Sequence, residues 1–164
     1  MSIVDLAVHA IVIGLGATAI MDAWVWLRRH WFGVPALDYA RVGRWVAYLP
    51  RGRFRHAPIA ATPPVRGEYA IGIAVHLLTG VAFAGILLAF WGAAWLRQPT
   101  PLPALIVGVG SVAAPFLLMQ PGMGAGVAAR RTPCPAKARL HSLLTHAVFG
   151  LGLYLSAAIL AWFR

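Results

Sequence analysis

The sequence predicts an all-α integral membrane protein with four transmembrane helices and one short interfacial helix. Apolar residues make up 60% of the 164 residues, charged residues only 11%, and the mean hydropathy is +0.76. A water-soluble surface needs more charge than this. The apolar residues also form four long runs, and about 20 such residues allow a helix to cross the hydrocarbon core. We therefore expect a single membrane domain over residues 1–164.

Each run predicts one transmembrane helix. The first begins the chain without the basic cluster of a secretory signal peptide, so it is interpreted as a membrane helix. Pro101 and Pro103 open the third helix, where a missing N–H has little effect, and Pro115 is expected to kink it. The predicted spans are residues 3–27, 69–95, 102–120 and 140–163.

The loops predict the orientation of the chain. Of the 14 basic residues, eight lie in the first loop and are all arginines, and four, three arginines and Lys137, follow the third helix, whereas Arg97 and Arg164 lie on the other side. Cytoplasmic loops are enriched in Lys and Arg, so both termini are predicted to be periplasmic. The net charge is +10. Because the basic residues lie between apolar runs, we expect them to face the cytoplasm and the lipid phosphates and not to bind nucleic acid.

The first loop contains the predicted interfacial helix, over residues 39–49, capped by Asp38. Arg41 and Arg44 point away from its apolar face, so we expect it to lie flat at the membrane surface. Arg51, Arg53 and Arg55 alternate beyond it, and an extended chain would aim all three in one direction. They are predicted to hold an anion or lipid head groups.

An internal duplication is suggested by two short matches that occur in the same order. Residues 13–17 (IGLGA) match residues 107–111 (VGVGS), and residues 76–80 (HLLTG) match residues 146–150 (HAVFG). The fold is therefore predicted to consist of two parallel helix-pair repeats, related by a pseudo-two-fold axis along the membrane normal.

Small and polar residues share helix faces in the predicted bundle. Spacing of four residues places Asp22, His76 and His146 on faces rich in glycine, which pack closely in membranes. The three residues are expected to form a polar layer in the cytoplasmic third of the bundle, together with Met119, Gln120 and Met123. An ionisable residue at that depth costs about 2.5–3.5 kcal/mol, so Asp22 needs a partner or a function. A purely structural role, locking the bundle, remains open.

The candidate site residues follow from this layer and from the first loop. The predicted ligand-binding residues are Asp22, His76, Gln120, Met123, His146, Arg51 and Arg53. His76, His146 and Asp22 are also candidate ligands for a haem iron or a divalent ion, and the methionines favour copper(I). The glycine-rich segment 119–126 (MQPGMGAG) either offers free amide N–H groups to an anion or forms a plain turn. His9, His30, His56 and His141 are assigned to the interface. No catalytic residue is assigned.

Several motifs resemble one family. They are GATAIMD at residues 16–22, PRGRFRH at 50–56, PPVRGE at 63–68, MQPGMGAG at 119–126 and HAVFGLGLY at 146–154. The chain resembles an uncharacterised family of small bacterial inner-membrane proteins, the domain of unknown function numbered 2938. The resemblance implies a multi-pass protein of the bacterial cytoplasmic membrane and carries no activity with it.

Three functional hypotheses remain open. The first is a transporter or membrane ligand-binding protein for a small solute, including anionic solutes, which with only four helices requires a homodimer or a larger complex. The second is a bis-histidine haem or metal protein. The third is an enzyme acting on a lipid-soluble substrate, with a histidine as base. Membrane lipids are the expected partners, and no nucleic acid is expected. The single cysteine, Cys134, is expected to be a cytoplasmic thiol.

Overall fold

The computed structural model describes residues 2–163, and all regular secondary structure in this part of the chain is helical. Four segments are long and apolar enough to cross a membrane, so the predicted fold class is confirmed. Arg164, counted in the predicted charge distribution, lies outside the described residues. The helices are α1 (Ile3–Phe32), α2 (Tyr39–Tyr48), α3 (Glu68–Arg97), α4 (Pro101–Gly110), a π-helical turn (Pro115–Met119), α5 (Gln120–Gly122) and α6 (Pro135–Trp162).

Helix α1 continues beyond the predicted span. Its N-terminus carries a capping box, in which Ser2 and Asp5 satisfy each other's backbone N–H groups. The helix ends only at Gly33, whose left-handed backbone (φ 62°) suits a residue without a Cβ. Arg28, assigned to the first loop from the sequence, therefore lies within the helix.

The third spanning segment, Pro101–Gly122, is interrupted at Ser111. Pro115 has no N–H to donate to the carbonyl of Ser111 four residues earlier, so regular α-helical bonding stops there. The chain continues as a π-helical turn from Pro115 to Met119 before α5 begins. The predicted distortion at Pro115 is confirmed.

The chain divides into two compact units. Within the described residues, unit 1 comprises residues 2–36, Leu77–Ser111 and residues 143–163, and unit 2 comprises Leu37–His76 and Val112–Ser142. The core of unit 1 is apolar, and Ile13, Leu87, Leu96 and Leu153 are almost completely buried in it.

Glycines set the helix crossings of unit 1. A Cβ on Gly14 would meet the backbone of Val81 at 2.6 Å, and a Cβ on Gly108 would overlap the Cα of Gly150. Such close backbone approach is how membrane helices pack without a hydrophobic driving force. These crossings join α1 to α3 and α4 to α6.

In unit 2, α2 packs against the start of α3. A Cβ on Gly43 would overlap the backbone of Glu68, and one on Gly72 would overlap that of Tyr39. The predicted cap is present, since the side chain of Asp38 accepts from the N–H groups of Ala40 and Arg41. The first loop is tied to the end of the third spanning segment by N–H···O bonds from His56 to Gly122 (2.8 Å) and from Ile59 to Met123 (3.0 Å).

Two side chains of the first loop are more buried than the sequence indicates. Arg44 forms a two-fold ion pair with Glu68, both N···O distances being 2.8 Å, with the side chains only 13% and 15% exposed. It also donates to the carbonyl of Thr62 at 2.8 Å. His56, which the sequence assigns to the interface, is only 5% exposed, with Nδ1 2.8 Å from the Thr62 hydroxyl. Packing against α3 and the glycine-rich segment draws both residues inward.

Candidate functional site

A hydrogen-bonded chain links α4 to α6 in unit 1. The hydroxyl of Ser111 lies 2.6 Å from the carbonyl oxygen of Gly108 and 2.6 Å from Nδ1 of His146. Ser111 is only 2% exposed. It occupies the turn in which α4 ends, and Gly108 and Gly150 bring α6 close enough for His146 to reach it.

The geometry assigns the tautomer of His146. A hydroxyl has one proton and a carbonyl oxygen can only accept, so Ser111 donates to Gly108 and the Nδ1–H of His146 donates to Ser111. Nε2 of His146 then carries the lone pair. In the described part of the chain it makes no hydrogen bond, so it can accept one from a bound molecule.

A buried arginine reaches the same turn of α6. Arg28 is 7% exposed, and one of its terminal nitrogens donates to the hydroxyl of Thr145, the residue before His146, at 3.0 Å. Its guanidinium also lies over the ring of Trp24, 5.6 Å from the centroid. The indole N–H of Trp24 is buried and has no hydrogen-bond partner among the described residues. A buried donor without a partner is rare in folded proteins.

We call Trp24, Arg28, Ser111, Thr145 and His146 the unit 1 polar cluster. It combines one cation, an unpartnered indole N–H and an imidazole that accepts through Nε2. This combination suits a small molecule with an anionic group and a hydroxyl or acid proton.

Of this cluster, the sequence patterns indicate only His146. Arg28 follows an apolar run and so resembles a loop residue, although the absence of a helix stop before Gly33 indicates that α1 continues. Ser111 occupies the position that Ala17 has in the matching motif, and this difference between the two motifs is the signal that could have found it. Nothing in the sequence points to Trp24 or Thr145.

The other members of the predicted polar layer divide between the two units. Asp22 is half-buried on α1 in unit 1. His76 belongs to unit 2, where its Nε2 lies 3.0 Å from the hydroxyl of Tyr39 and the two ring centroids are 4.7 Å apart. Tyr39 begins α2, so the Asp38 cap and the glycine contact at Gly72 place its hydroxyl against α3.

Gln120 and Met123 are half-buried in the glycine-rich segment of unit 2. The carbonyl of Met123 accepts from Ile59, and Oε1 of Gln120 is buried without a partner in the described chain. Three amides of this segment are not free for an anion. Those of Met123, Gly124 and Ala125 donate to carbonyls of the same segment at 2.8, 3.2 and 2.8 Å.

Arg51 and Arg53 both contact the ring of Tyr48, and the chain between them does not follow the predicted path. The chain is not extended there: Leu49–Arg51 is a 3₁₀ turn, and Gly52 is left-handed (φ 72°). Both guanidiniums lie over the ring of Tyr48, 5.0 and 5.1 Å from its centroid. Both arginines are exposed.

The predicted metal ligands do not form a cluster. Across residues 2–163, no group of three His, Cys, Asp or Glu side chains is arranged to hold a metal ion. A haem held by two histidines needs no such group, and the haem or metal interpretation of His76, His146 and Asp22 stays a prediction.

The family of the chain follows from a match to a family model. The model of a family described as a protein of unknown function (DUF2938) matches residues 11–160. The chain belongs to the DUF2938 family. The match covers nearly all of units 1 and 2, including every residue of the unit 1 polar cluster. No curated protein and no solved structure matched the chain. Membership of DUF2938 therefore leaves the activity to be argued from the site.

Proposed function

We propose that this protein is a membrane ligand-binding protein, and most simply a transporter, for a small solute that carries an anionic group. The observation that carries the proposal is Arg28, a cation that is only 7% exposed within a spanning helix. A buried charge is costly unless polar partners or a ligand compensate it, so a buried arginine on a spanning helix is a candidate binding residue. Its neighbours leave one donor and one acceptor uncommitted, on Trp24 and His146.

The remaining groups hold this arrangement in place. The hydroxyl of Thr145 accepts a hydrogen bond from one terminal nitrogen of Arg28. Ser111 accepts from Nδ1–H of His146 and so keeps this imidazole in the tautomer that accepts through Nε2. A carboxylate bound to the guanidinium would make charge-assisted hydrogen bonds, which are about twice as strong as neutral ones. A hydroxyl or acid group on the solute would donate a hydrogen bond to Nε2 of His146.

Ligand-dependent thermal stabilisation tests the proposal. The full chain, purified in a neutral detergent, is heated with acetate, succinate, benzoate, lactate or inorganic phosphate, and its unfolding temperature is recorded. A ligand at 100 times its Kd stabilises a protein by about 2.7 kcal/mol. We expect at least one carboxylate to raise the unfolding temperature of the parent, and uptake of that compound into proteoliposomes follows.

Matched variants assign any such effect to the cluster. Arg28→Gln, His146→Gln and Trp24→Phe are expected to abolish the stabilisation. Arg29→Gln and His30→Gln, which alter exposed neighbours on the same helix, are expected to retain it. A carboxylate that stabilises Arg28→Gln and His146→Gln as strongly as the parent would contradict the proposal.

The two alternative functions make different predictions. A haem or metal protein would show a Soret band or stoichiometric metal that His76→Ala and His146→Ala remove. An enzyme acting on a lipid-soluble substrate would use His146 or His76 as its base, and alanine at that histidine would abolish turnover. Ser111 does not suit a nucleophile activated by His146, because its hydroxyl donates to the carbonyl of Gly108.

We also infer that the chain arose by duplication of a helix pair. Gly14 and Gly108 match in the sequence, as do Gly80 and Gly150. The two helix crossings use these same positions, since a Cβ on Gly14 would meet the carbonyl of Gly80 at 2.8 Å and one on Gly108 would overlap Gly150. Equivalent residues thus make equivalent close contacts, as expected of two repeats.

The proposed setting is the bacterial inner membrane, with the basic loops in the cytoplasm and both termini in the periplasm. The exposed basic residues of the first loop and of the segment after α5 support this orientation. We further propose a homodimer or a larger complex, because four helices are few for alternating access. The apolar side chains exposed along all four spanning helices offer surface for such association as well as for lipid.

A further inference from the structure

Unit 2 carries an unbalanced positive charge. It contains ten basic residues and two acids, and both acids are already paired, Asp38 with Arg41 and Glu68 with Arg44. The other eight basic side chains are all exposed, and no acid in this described unit is left to neutralise them. They are Arg51, Arg53, Arg55, Arg66, Arg130, Arg131, Lys137 and Arg139.

Two of these charges are held close together by the fold. The guanidiniums of Arg51 and Arg53 each lie within 5.1 Å of the centre of the Tyr48 ring, so their charges are at most about 10 Å apart. The Debye length at physiological ionic strength is about 8 Å, so two exposed charges at this range are only partly screened and repel each other weakly. An anion bound between them would relieve this repulsion.

The backbone creates this pairing. Leu49–Arg51 forms a 3₁₀ turn after α2, the left-handed Gly52 reverses the chain, and the N–H of Arg53 returns to the carbonyl of Tyr48 at 3.3 Å. The ring itself is fixed, because Tyr48 is 8% exposed and its hydroxyl donates to the carbonyl of Pro63 at 3.2 Å. Both arginines therefore contact a ring that is held in place by burial and by a hydrogen bond.

An apolar side chain lies next to the pair. Phe54 directly follows Arg53 and is 63% exposed. Its carbonyl is held by the indole N–H of Trp45 at 3.0 Å, so this part of the loop is anchored to α2. A free phosphate ion has no apolar part that could contact an exposed phenyl ring. A phospholipid carries its phosphate next to the glycerol and acyl region, which could.

We propose that Arg51, Arg53 and Phe54 form a binding site for the phosphate head group of an anionic phospholipid in the membrane that holds this chain. The guanidiniums bind the phosphate oxygens, and Phe54 inserts beside the head group. This site is separate from the unit 1 polar cluster and does not depend on it. It orders one lipid at a defined place, whereas the other six basic side chains attract anionic lipid diffusely.

Lipid binding to the purified full chain tests the site. The chain is held in a neutral detergent and titrated with fluorescent phosphatidylglycerol or phosphatidylcholine, with affinity read from fluorescence anisotropy. We expect the parent to prefer phosphatidylglycerol. Arg51→Gln with Arg53→Gln is expected to weaken that binding about tenfold or more, because each basic residue near an anionic surface makes a substantial contribution. Phe54→Ala is expected to weaken it severalfold.

The control removes the same charge elsewhere in unit 2. Arg130→Gln with Arg131→Gln is expected to weaken binding no more than about threefold. If both double variants lose affinity equally, the attraction is diffuse and the defined site is refuted. The proposal also fails if the parent binds phosphatidylcholine as tightly as phosphatidylglycerol.

Two competitors distinguish the source of the phosphate. Inorganic phosphate in molar excess over the lipid is expected to leave the lipid bound, and displacement would mean that the site takes free phosphate instead. A short single-stranded oligonucleotide is likewise expected not to displace the lipid. Displacement by the oligonucleotide would assign the arginine pair to nucleic acid and overturn the proposal.

A pair of glycine variants tests the backbone device. Gly52 and Gly67 both have positive φ, 72° and 79°, and a Cβ on either would meet nothing within 4 Å. Alanine therefore introduces a similar backbone strain at both positions and no clash. Gly52→Ala is expected to reduce phosphatidylglycerol affinity severalfold, and Gly67→Ala is expected to leave it unchanged. An equal loss in both would show a general effect of strain and would contradict the role of the turn.

Discussion

Nδ1 of His146 lies 2.6 Å from the hydroxyl of Ser111, which in turn donates to the carbonyl of Gly108. One serine thereby connects α6 to the broken end of α4 and decides which ring nitrogen of the histidine accepts. The arrangement exists because Pro115 disrupts the third spanning segment just beyond Ser111, and because two glycines bring the helices together.

Removal of this hydroxyl is expected to change the tautomer of His146. In Ser111→Ala the Nδ1–H loses its acceptor, and the lost buried hydrogen bond costs about 1 kcal/mol. The ¹⁵N chemical shifts of labelled histidine side chains report which nitrogen is protonated. The control is Ser156→Ala, which removes a half-buried hydroxyl from α6, the helix that carries His146. An unchanged tautomer in Ser111→Ala would refute the assignment.

The glycine contact between α4 and α6 is expected to be sensitive to a single methyl group. In Gly108→Ala the Cβ overlaps Gly150, so the helices must separate, and overpacking of this kind costs about 1–3 kcal/mol or more. Gly110 lies on the same helix with nothing within 4 Å of a Cβ, so Gly110→Ala should be neutral or stabilising by up to about 1 kcal/mol. Thermal unfolding in detergent measures both, and equal stability of the two variants would contradict the close approach of α4 and α6 at Gly108.

The ion pair between Arg44 and Glu68 is expected to be essential to unit 2. Breaking a buried pair costs about 3–5 kcal/mol, and the lower end applies here because each side chain is about one-seventh exposed. Arg44→Gln and Glu68→Gln should each show this loss on thermal unfolding. Arg41→Gln breaks a pair whose side chains are 50% and 48% exposed, and should cost less than about 1 kcal/mol. Similar losses of stability in Arg41→Gln and Arg44→Gln would show that burial does not set the strength of these ion pairs.

Stability is expected to fall in mild acid because of His56. Burial, and next the charge of Arg53, lower the pKa of His56 below its ordinary value of 6.5. The unfolded chain then binds more protons than the folded chain between the two pKa values, so stability rises with pH in that window. The contribution of His56 to the free energy of unfolding is fully present above about pH 6.5. It is lost as the pH falls through the pKa of His56 in the folded state. His56→Gln should flatten this part of the pH profile, and His30→Gln, at an exposed position, should not. A parent profile without a slope below pH 6.5 would contradict the prediction.

The single cysteine tests the proposed orientation. Cys134 is exposed in the basic segment between α5 and α6. A membrane-impermeant maleimide is expected to label it in inverted inner-membrane vesicles and not in intact cells with a permeabilised outer membrane. Gln98→Cys in a Cys134→Ser background lies in the other connection and should show the reverse pattern. Labelling of Cys134 from outside the cell would reverse the assigned orientation.

The class of fold and the helices of this chain are predictable from local signals in its sequence. Four long apolar runs, proline at the start of the third and Asp38 before α2 are such signals, because hydropathy and short-range hydrogen bonding decide where helices form. The effect of Pro115 is predictable for the same reason, since the missing N–H acts on the residue four positions earlier. His146 stands out because a histidine on a glycine-rich helix face is unusual.

The partners of the polar side chains depend instead on the tertiary structure. Arg28 and Thr145 are 117 residues apart in the sequence. Ser111 and His146 are 35 residues apart, and Arg44 and Glu68 are 24 residues apart. No pattern along the chain encodes these pairs, because each depends on how closely two backbones approach at a glycine. The path of Arg51–Arg53 likewise depends on a left-handed glycine and a buried tyrosine rather than on the alternation of the arginines. Helices are local and so are predictable from sequence, whereas side-chain chemistry between helices is decided by packing.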